Sequence, residues 1–206
     1  FFFFLKEESD SIKSCVNDSI CQIFSSLLQK KNTFEYPFQE LKYIGKRIAK
    51  DRKVAIYTWS YPENGGAKYS GIVQQKTPKG IRVFPLKQAT KAYAPKEIGT
   101  ISTQNWYGAL YFDIVPFRAK HGKVYILLGI AQNKQFLTMK VIDVLWFEEE
   151  KAFLGMPIFE FWKKDFLHRI VFEYNEDISI TLLYEKENKR FVFDHLEPVN
   201  SSFVGD

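Results

Sequence analysis

The chain has 206 residues, enough for one generous core, and no stretch reads as a linker, so its length argues for a single folding unit. Apolar residues make up 46% of it and aromatic residues 17%, led by twenty Phe and eleven Tyr, which excludes a disordered chain and favours residue types that suit a pleated, half-buried surface. Lys and Arg exceed Asp and Glu by 29 to 24 with the signs interspersed, which argues against a nucleic-acid partner, and no apolar run approaches the roughly twenty residues of a membrane-crossing helix.

The opening Phe1-Phe2-Phe3-Phe4-Leu5 is apolar for a terminus. It reads either as the remnant of a trimmed signal segment or as the start of a packed helix, and it has neither a basic n-region nor a small-residue cleavage site. From Ser9 to Lys30, Ile12, Cys15, Val16, Ile20, Ile23, Phe24, Leu27 and Leu28 recur three and four apart, the stripe of an amphipathic helix or a helical hairpin. Cys15 and Cys21 lie on this stretch. In one unbroken helix six residues rise about 9 Å and the two thiols point apart, so a disulfide requires a turn at Asn17-Asp18-Ser19; the other reading is two buried thiols in a helix. Pro37 then opens a segment in which Phe38, Leu41, Ile44 and Ile48 keep helical spacing, and a helical lead-in over residues 1–50 is expected. Its basic residues Lys42, Lys46, Arg47, Lys50, Arg52 and Lys53 are read as a solvated face.

After Lys53 the rhythm changes to short β-rich runs, and residues 51–206 are expected to form an antiparallel β domain on which the lead-in packs. Val54–Trp59 and Tyr69–Gln75 flank Asn64-Gly65, which permits the positive φ angles of a tight hairpin. Thr77-Pro78-Lys79-Gly80 leads to a third strand, Ile81–Leu86. The polar stretch from Lys87 to Gln104 is the one long irregular connection, a place for an inserted helix or a mobile loop. Trp106–Phe117 pairs with Lys123–Ile130, and Val141–Phe147 pairs across Glu148-Glu149-Glu150-Lys151 with the segment from Phe153 to Phe161. His168–Tyr174, Ile178–Tyr184 and Arg190–Phe193 follow, joined by short polar turns. The fold class is therefore mainly β: an antiparallel meander that curls into a sandwich or an incomplete barrel, with an N-terminal α-helical segment.

No nucleophile elbow, phosphate-binding loop, dinucleotide fingerprint or zinc-protease motif occurs. His121, His168 and His195 are scattered, and without nearby Cys they lack the spacing of a zinc site; neither a metal nor a cofactor is expected. In Asp194-His195-Leu196-Glu197, His195 is a candidate general base, but adjacent residues on a strand point to opposite faces, which favours a strand-end role. The Glu148–Glu150 triplet reads as a solvated hairpin tip. Trp59, Trp106, Tyr107 and Tyr111, with Tyr61, Tyr69, Trp146 and Trp162 beside them, form either a stacking platform for a glycan or peptide, if several share an exposed face, or core.

Four strings, Phe34-Glu35-Tyr36-Pro37-Phe38-Gln39-Glu40-Leu41, Ala55-Ile56-Tyr57-Thr58-Trp59, Asn105-Trp106-Tyr107-Gly108-Ala109-Leu110-Tyr111 and Val192-Phe193-Asp194-His195-Leu196, resemble a group of uncharacterised proteins from Bacteroidota. Members of that group carry secretion signals and run on past the point where this sequence stops. The resemblance implies an extracytoplasmic address, in the periplasm or at the outer membrane, and no reaction. The expectation is a non-catalytic accessory subunit partnered by another envelope protein, not membrane-spanning itself, and held at the membrane by a partner or by its N-terminal segment. A glycan- or peptide-binding module is the alternative, and a hydrolase near His195 the third reading.

Overall fold

A computed structural model describes residues 9–89, 95–120, 122–134, 137–161, 165–175 and 177–194. The first described element is α1 (Asp10–Leu28), whose N-cap Ser9 accepts a hydrogen bond from the Ile12 amide. Four strands follow, β1 (Gly45–Ile48), β2 (Val54–Glu63), β3 (Gly66–Thr77) and β4 (Gly80–Lys87), and they pair in chain order as one antiparallel sheet. Asn64 and Gly65 both have positive φ, 52° and 72°, the conformation that a two-residue hairpin turn requires.

A second sheet contains β5 (Ile101–Ser102), β6 (Leu110–Ala119), β7 (Gly122–Lys134), β8 (Leu137–Glu148) and β9 (Lys151–Leu154) in the order β5-β9-β8-β7-β6. Next come β10 (Phe159–Phe161), β11 (Asp165–Leu167) and β12 (Ile170–Asn175), then β13 (Leu182–Glu185) and β14 (Arg190–Phe193). β10 pairs with β11 and β13 with β14, while β12 returns to β8, aligning Ile170 with Ile142 and Asn175 with Leu137. β9 occupies the same strand further along, Leu145 to Glu148. The molecule is mainly β with antiparallel sheets and an N-terminal helix, and among the described residues the sheets do not close into a barrel.

Alternation along the central strands explains the layering. On β2, Val54 and Ile56 face the second sheet while Ala55, Tyr57 and Trp59 face α1. On β7, Tyr125 and Leu127 face the first sheet, whereas Val124, Ile126 and Leu128 lie under the β13–β14 ribbon with Leu182, Tyr184 and Phe191. Strands apolar on both faces therefore sit in the middle of four layers: helix, sheet, sheet, ribbon. Arg47 on β1 stitches one side of the sandwich by donating from Nε to the Phe112 carbonyl of β6 at 2.7 Å.

Three expectations need correction. Phe38–Ile48 is not helical: Phe38 has φ 52°, Leu41 and Ile44 form tight turns, and Gly45–Ile48 is a strand on β2. The spacing that suggested a helix arises because Phe38, Leu41, Ile44 and Ile48 all pack against the cluster under α1. The segment from Phe153 to Phe161 is likewise not one strand. Gly155, at φ 88°, ends β9, and Phe159–Phe161 pairs elsewhere. Third, α1 runs unbroken through Asn17-Asp18-Ser19, so Cys15 and Cys21 are free thiols, and they are not both buried: Cys15 is exposed and Cys21 partly buried. Burial pushes the Cys21 thiol up to about 11. In the polar stretch from Lys87 to Gln104, the described residues hold β5 and a short 3₁₀ turn starting at Thr103.

Candidate functional site

The four aromatic residues expected to offer a stacking platform are inside the protein. Trp59, Trp106 and Tyr107 have no exposure and Tyr111 has 2%, so a glycan or peptide has no face to stack on there. The fold brings three of them together and sends the fourth elsewhere. Trp59 belongs to the layer under α1, where its indole Nε1 donates to Asn17 Oδ1 at 3.0 Å and gives a buried polar group on the helix its partner. Tyr61 and Tyr69 are buried as well, Trp146 is half-buried, and Trp162 lies outside the described residues.

Trp106, Tyr107 and Tyr111 start a chain of hydrogen bonds between the sheets. Trp106 Nε1 donates to the Tyr111 hydroxyl at 3.0 Å, the Tyr111 and Tyr107 hydroxyls are 3.0 Å apart, and Tyr107 donates to Asp143 Oδ2 at 2.8 Å. The one arrangement that satisfies every donor passes each O–H toward the carboxylate. Room for Tyr111 comes from Gly129 directly opposite on β7, where a Cβ would sit 2.8 Å from the phenol ring.

Asp143 occupies a core-facing position of β8 between Val141 and Leu145 and has no exposure. Its Oδ2 also accepts from Arg169 Nε at 3.2 Å, and its Oδ1 from the Val144 amide at 2.8 Å. Burial pushes the Asp143 carboxyl above the usual carboxylate range, and the Arg169 guanidinium beside it pulls back. Arg169 is itself only 1% exposed. It spends its remaining donors on the Lys96 carbonyl at 2.6 Å and the Leu154 carbonyl at 3.2 Å. At Gly155 any side chain would drive its Cβ into the same guanidinium. One arginine thus ties β8, β9, the start of β12 and the segment preceding β5.

This chain has the chemistry of a lock rather than of a reaction. Every member is buried among partners it already satisfies, and a substrate would have to displace core to reach the carboxylate. His168 is next to Arg169, and burial lowers its pKa, yet among the described residues its Nδ1 has no hydrogen-bond partner, so none of their carboxylates orients it there. His121 and His195 lie outside the described residues. Among the described residues no group of three or more His, Cys, Asp or Glu side chains is placed to hold a metal ion. The Glu148–Glu150 triplet is the exposed tip joining β8 to β9, where Arg82 donates to the Glu149 carbonyl and the Glu150 carboxylate. Sequence reasoning missed Asp143 and Arg169. A signal existed for the first: a carboxylate at the centre of Val141-Ile142-Asp143-Val144-Leu145-Trp146 breaks an otherwise apolar run.

The surface offers a different feature. On α1, Lys13, Asn17, Phe24 and Leu28 are buried, while Ile23 is 71% and Ile12 47% exposed. Ile12, Val16 and Ile23 lie within about 40° of one another around the helix axis, beside the buried face rather than on it, while Leu27 at its edge packs against the core. No helix among the described residues is long and apolar enough to cross a membrane.

Comparison with family models, with curated proteins and with solved structures gives no match.

Proposed function

We propose that this protein is a non-catalytic accessory subunit of a cell-envelope complex, held to a companion protein through the outer face of α1. The supporting observation is the apolar stripe of Ile12, Val16 and Ile23, which α1 carries in addition to the residues it packs against β2 and β3. A helix docked onto a single sheet needs one apolar face, and this helix has more than one. The stripe keeps a near-heptad spacing, which suits an apolar helix of the companion laid alongside. The envelope address follows the likeness of the four sequence strings to Bacteroidota proteins.

Purification of the natural protein from its envelope fraction, without crosslinker, tests both parts. The expected result is a stoichiometric companion with an apolar helix that is lost in the Ile12→Ser, Ile23→Ser variant, with folding stability unchanged within about 0.5 kcal/mol because both side chains are exposed. A monomeric protein free of companions would overturn the reading. So would a stripe that pairs with a second copy of the chain.

A further inference from the structure

The excess positive charge of this chain is not spread over its surface. The turn from β1 to β2 carries Lys50, Arg52 and Lys53. Lys76, Lys79 and Arg82 flank the β3–β4 turn, and Arg118, Lys120 and Lys123 flank the β6–β7 turn. These three tips share one end of the sandwich. Lys53 accepts a backbone hydrogen bond from Lys76, which sets the first beside the second, and Asp51 accepts from the Tyr125 hydroxyl and pairs with Lys123, which sets the first beside the third. The three tips carry nine basic side chains and one acidic one, an excess of eight where the whole chain has an excess of five, so everything outside them is net acidic, and Glu35 reaches in from outside to pair with Arg52. The Glu148–Glu150 tip stands at the margin, engaged by Arg82.

We infer that this end of the sandwich docks on an anionic lipid surface. Clustered Lys and Arg on short rigid turns give a membrane carrying negative headgroups a favourable potential at contact, and the side chains lose little freedom because the hairpins already hold them. The apolar component is present too. Phe117 is 48% exposed and lies with Pro116, Arg118, Gly122 and Lys123 around a shallow recess, so a ring ready to enter the headgroup boundary is surrounded by cations ready to meet phosphates. The cations stand on separate hairpin turns, and among the described residues of these tips Phe117 is the one exposed aromatic ring. That geometry fits a bilayer better than a nucleic-acid strand, which needs a groove and successive stacking rings. This inference is independent of the helix-docking reading, because α1 covers the outer face of the first sheet and not this end.

Co-sedimentation of the full chain with vesicles tests it. Binding is expected to vesicles of phosphatidylcholine containing about a third phosphatidylglycerol, with none to phosphatidylcholine alone and a steep loss as salt rises. Each basic group near such a surface contributes about fivefold, so Lys53→Ser, Lys79→Ser and Lys120→Ser together should weaken binding about a hundredfold. Lys87→Ser, Lys186→Ser and Lys189→Ser remove the same charge from exposed sites elsewhere and should leave binding within about threefold if the patch matters rather than net charge. Phe117→Ser should weaken vesicle binding. Equal loss in the two triple variants, equal binding to both vesicle types, or tighter binding to a short DNA duplex that is insensitive to Phe117→Ser would each overturn the inference. Unchanged thermal midpoints in all variants verify that the exposed turns tolerate the changes.

Discussion

Beneath α1 the buried polar groups that join helix to sheet are neutral, Lys13 being paired with Asp10 within the helix: Asn17 holds the Trp59 indole, and Gln74 donates to the Leu28 carbonyl at 2.6 Å while accepting from the Tyr57 hydroxyl at 3.0 Å. Between the sheets the corresponding groups are charge-bearing, with Asp143 and Arg169 at the end of a chain of indole and phenol donors. The neutral contacts join one helix to one sheet. Arg169 joins segments that no local hydrogen bonding would bring together, so the charged contact sets the course of the chain through Gly155 and into β12. Neutral pairs tolerate imperfect burial, because an unmet donor costs about 1–3 kcal/mol. A buried charge without its partner costs more, and its position is correspondingly strict.

Arg169→Met should break the comparison hardest. It leaves Asp143 buried without its counter-charge, and urea denaturation should register a loss of about 3–5 kcal/mol. Adding Asp143→Leu should recover only part of that, because it removes the unpaired charge but leaves the Tyr107 hydroxyl without its acceptor and the Lys96 and Leu154 carbonyls without the guanidinium. A single-variant loss below about 1 kcal/mol would mean the pair is not what holds β12. Asn17→Leu should cost less, about 1–3 kcal/mol by the same measurement, since it strands only the Trp59 N–H. A cost equal to that of Arg169→Met would erase the distinction between the two networks.

The smallest expected effect is a pH slope at His168. Its folded-state pKa lies below the ordinary 6.5, so the unfolded chain holds the proton more readily. Its contribution to stability is complete above pH 6.5 and is lost as pH falls through the lowered folded value. His168→Gln should flatten the stability curve over that window while leaving stability at pH 8 nearly unchanged. A slope of the same size in the variant would assign it to another group.

Much of the first sheet was legible because its signals are local. Asn64-Gly65 dictates a hairpin, and with the turn set, the alternation from Val54 to Trp59 fixes which side chains share a face. The Glu148–Glu150 tip was legible for the same reason. The helix expected over Phe38–Ile48 failed because periodicity reports which residues are buried together, and here a turn followed by an edge strand buries the same set. The choice between surface and core for Trp59, Trp106, Tyr107 and Tyr111 was open in the sequence because it depends on what covers them, and the packed layers leave them 0–2% exposed.

By itself the sequence determined the switch from a helical stripe to pleated strands, the tight turns and the all-round apolar character of the central strands, since each depends on neighbours within a few residues. Only the tertiary structure decided that β12 returns to β8, that Arg169 reaches Asp143, and that three basic turns far apart in the chain gather at one end. These depend on which strands lie side by side, and strand order is a property of the packed whole that no short window of sequence contains.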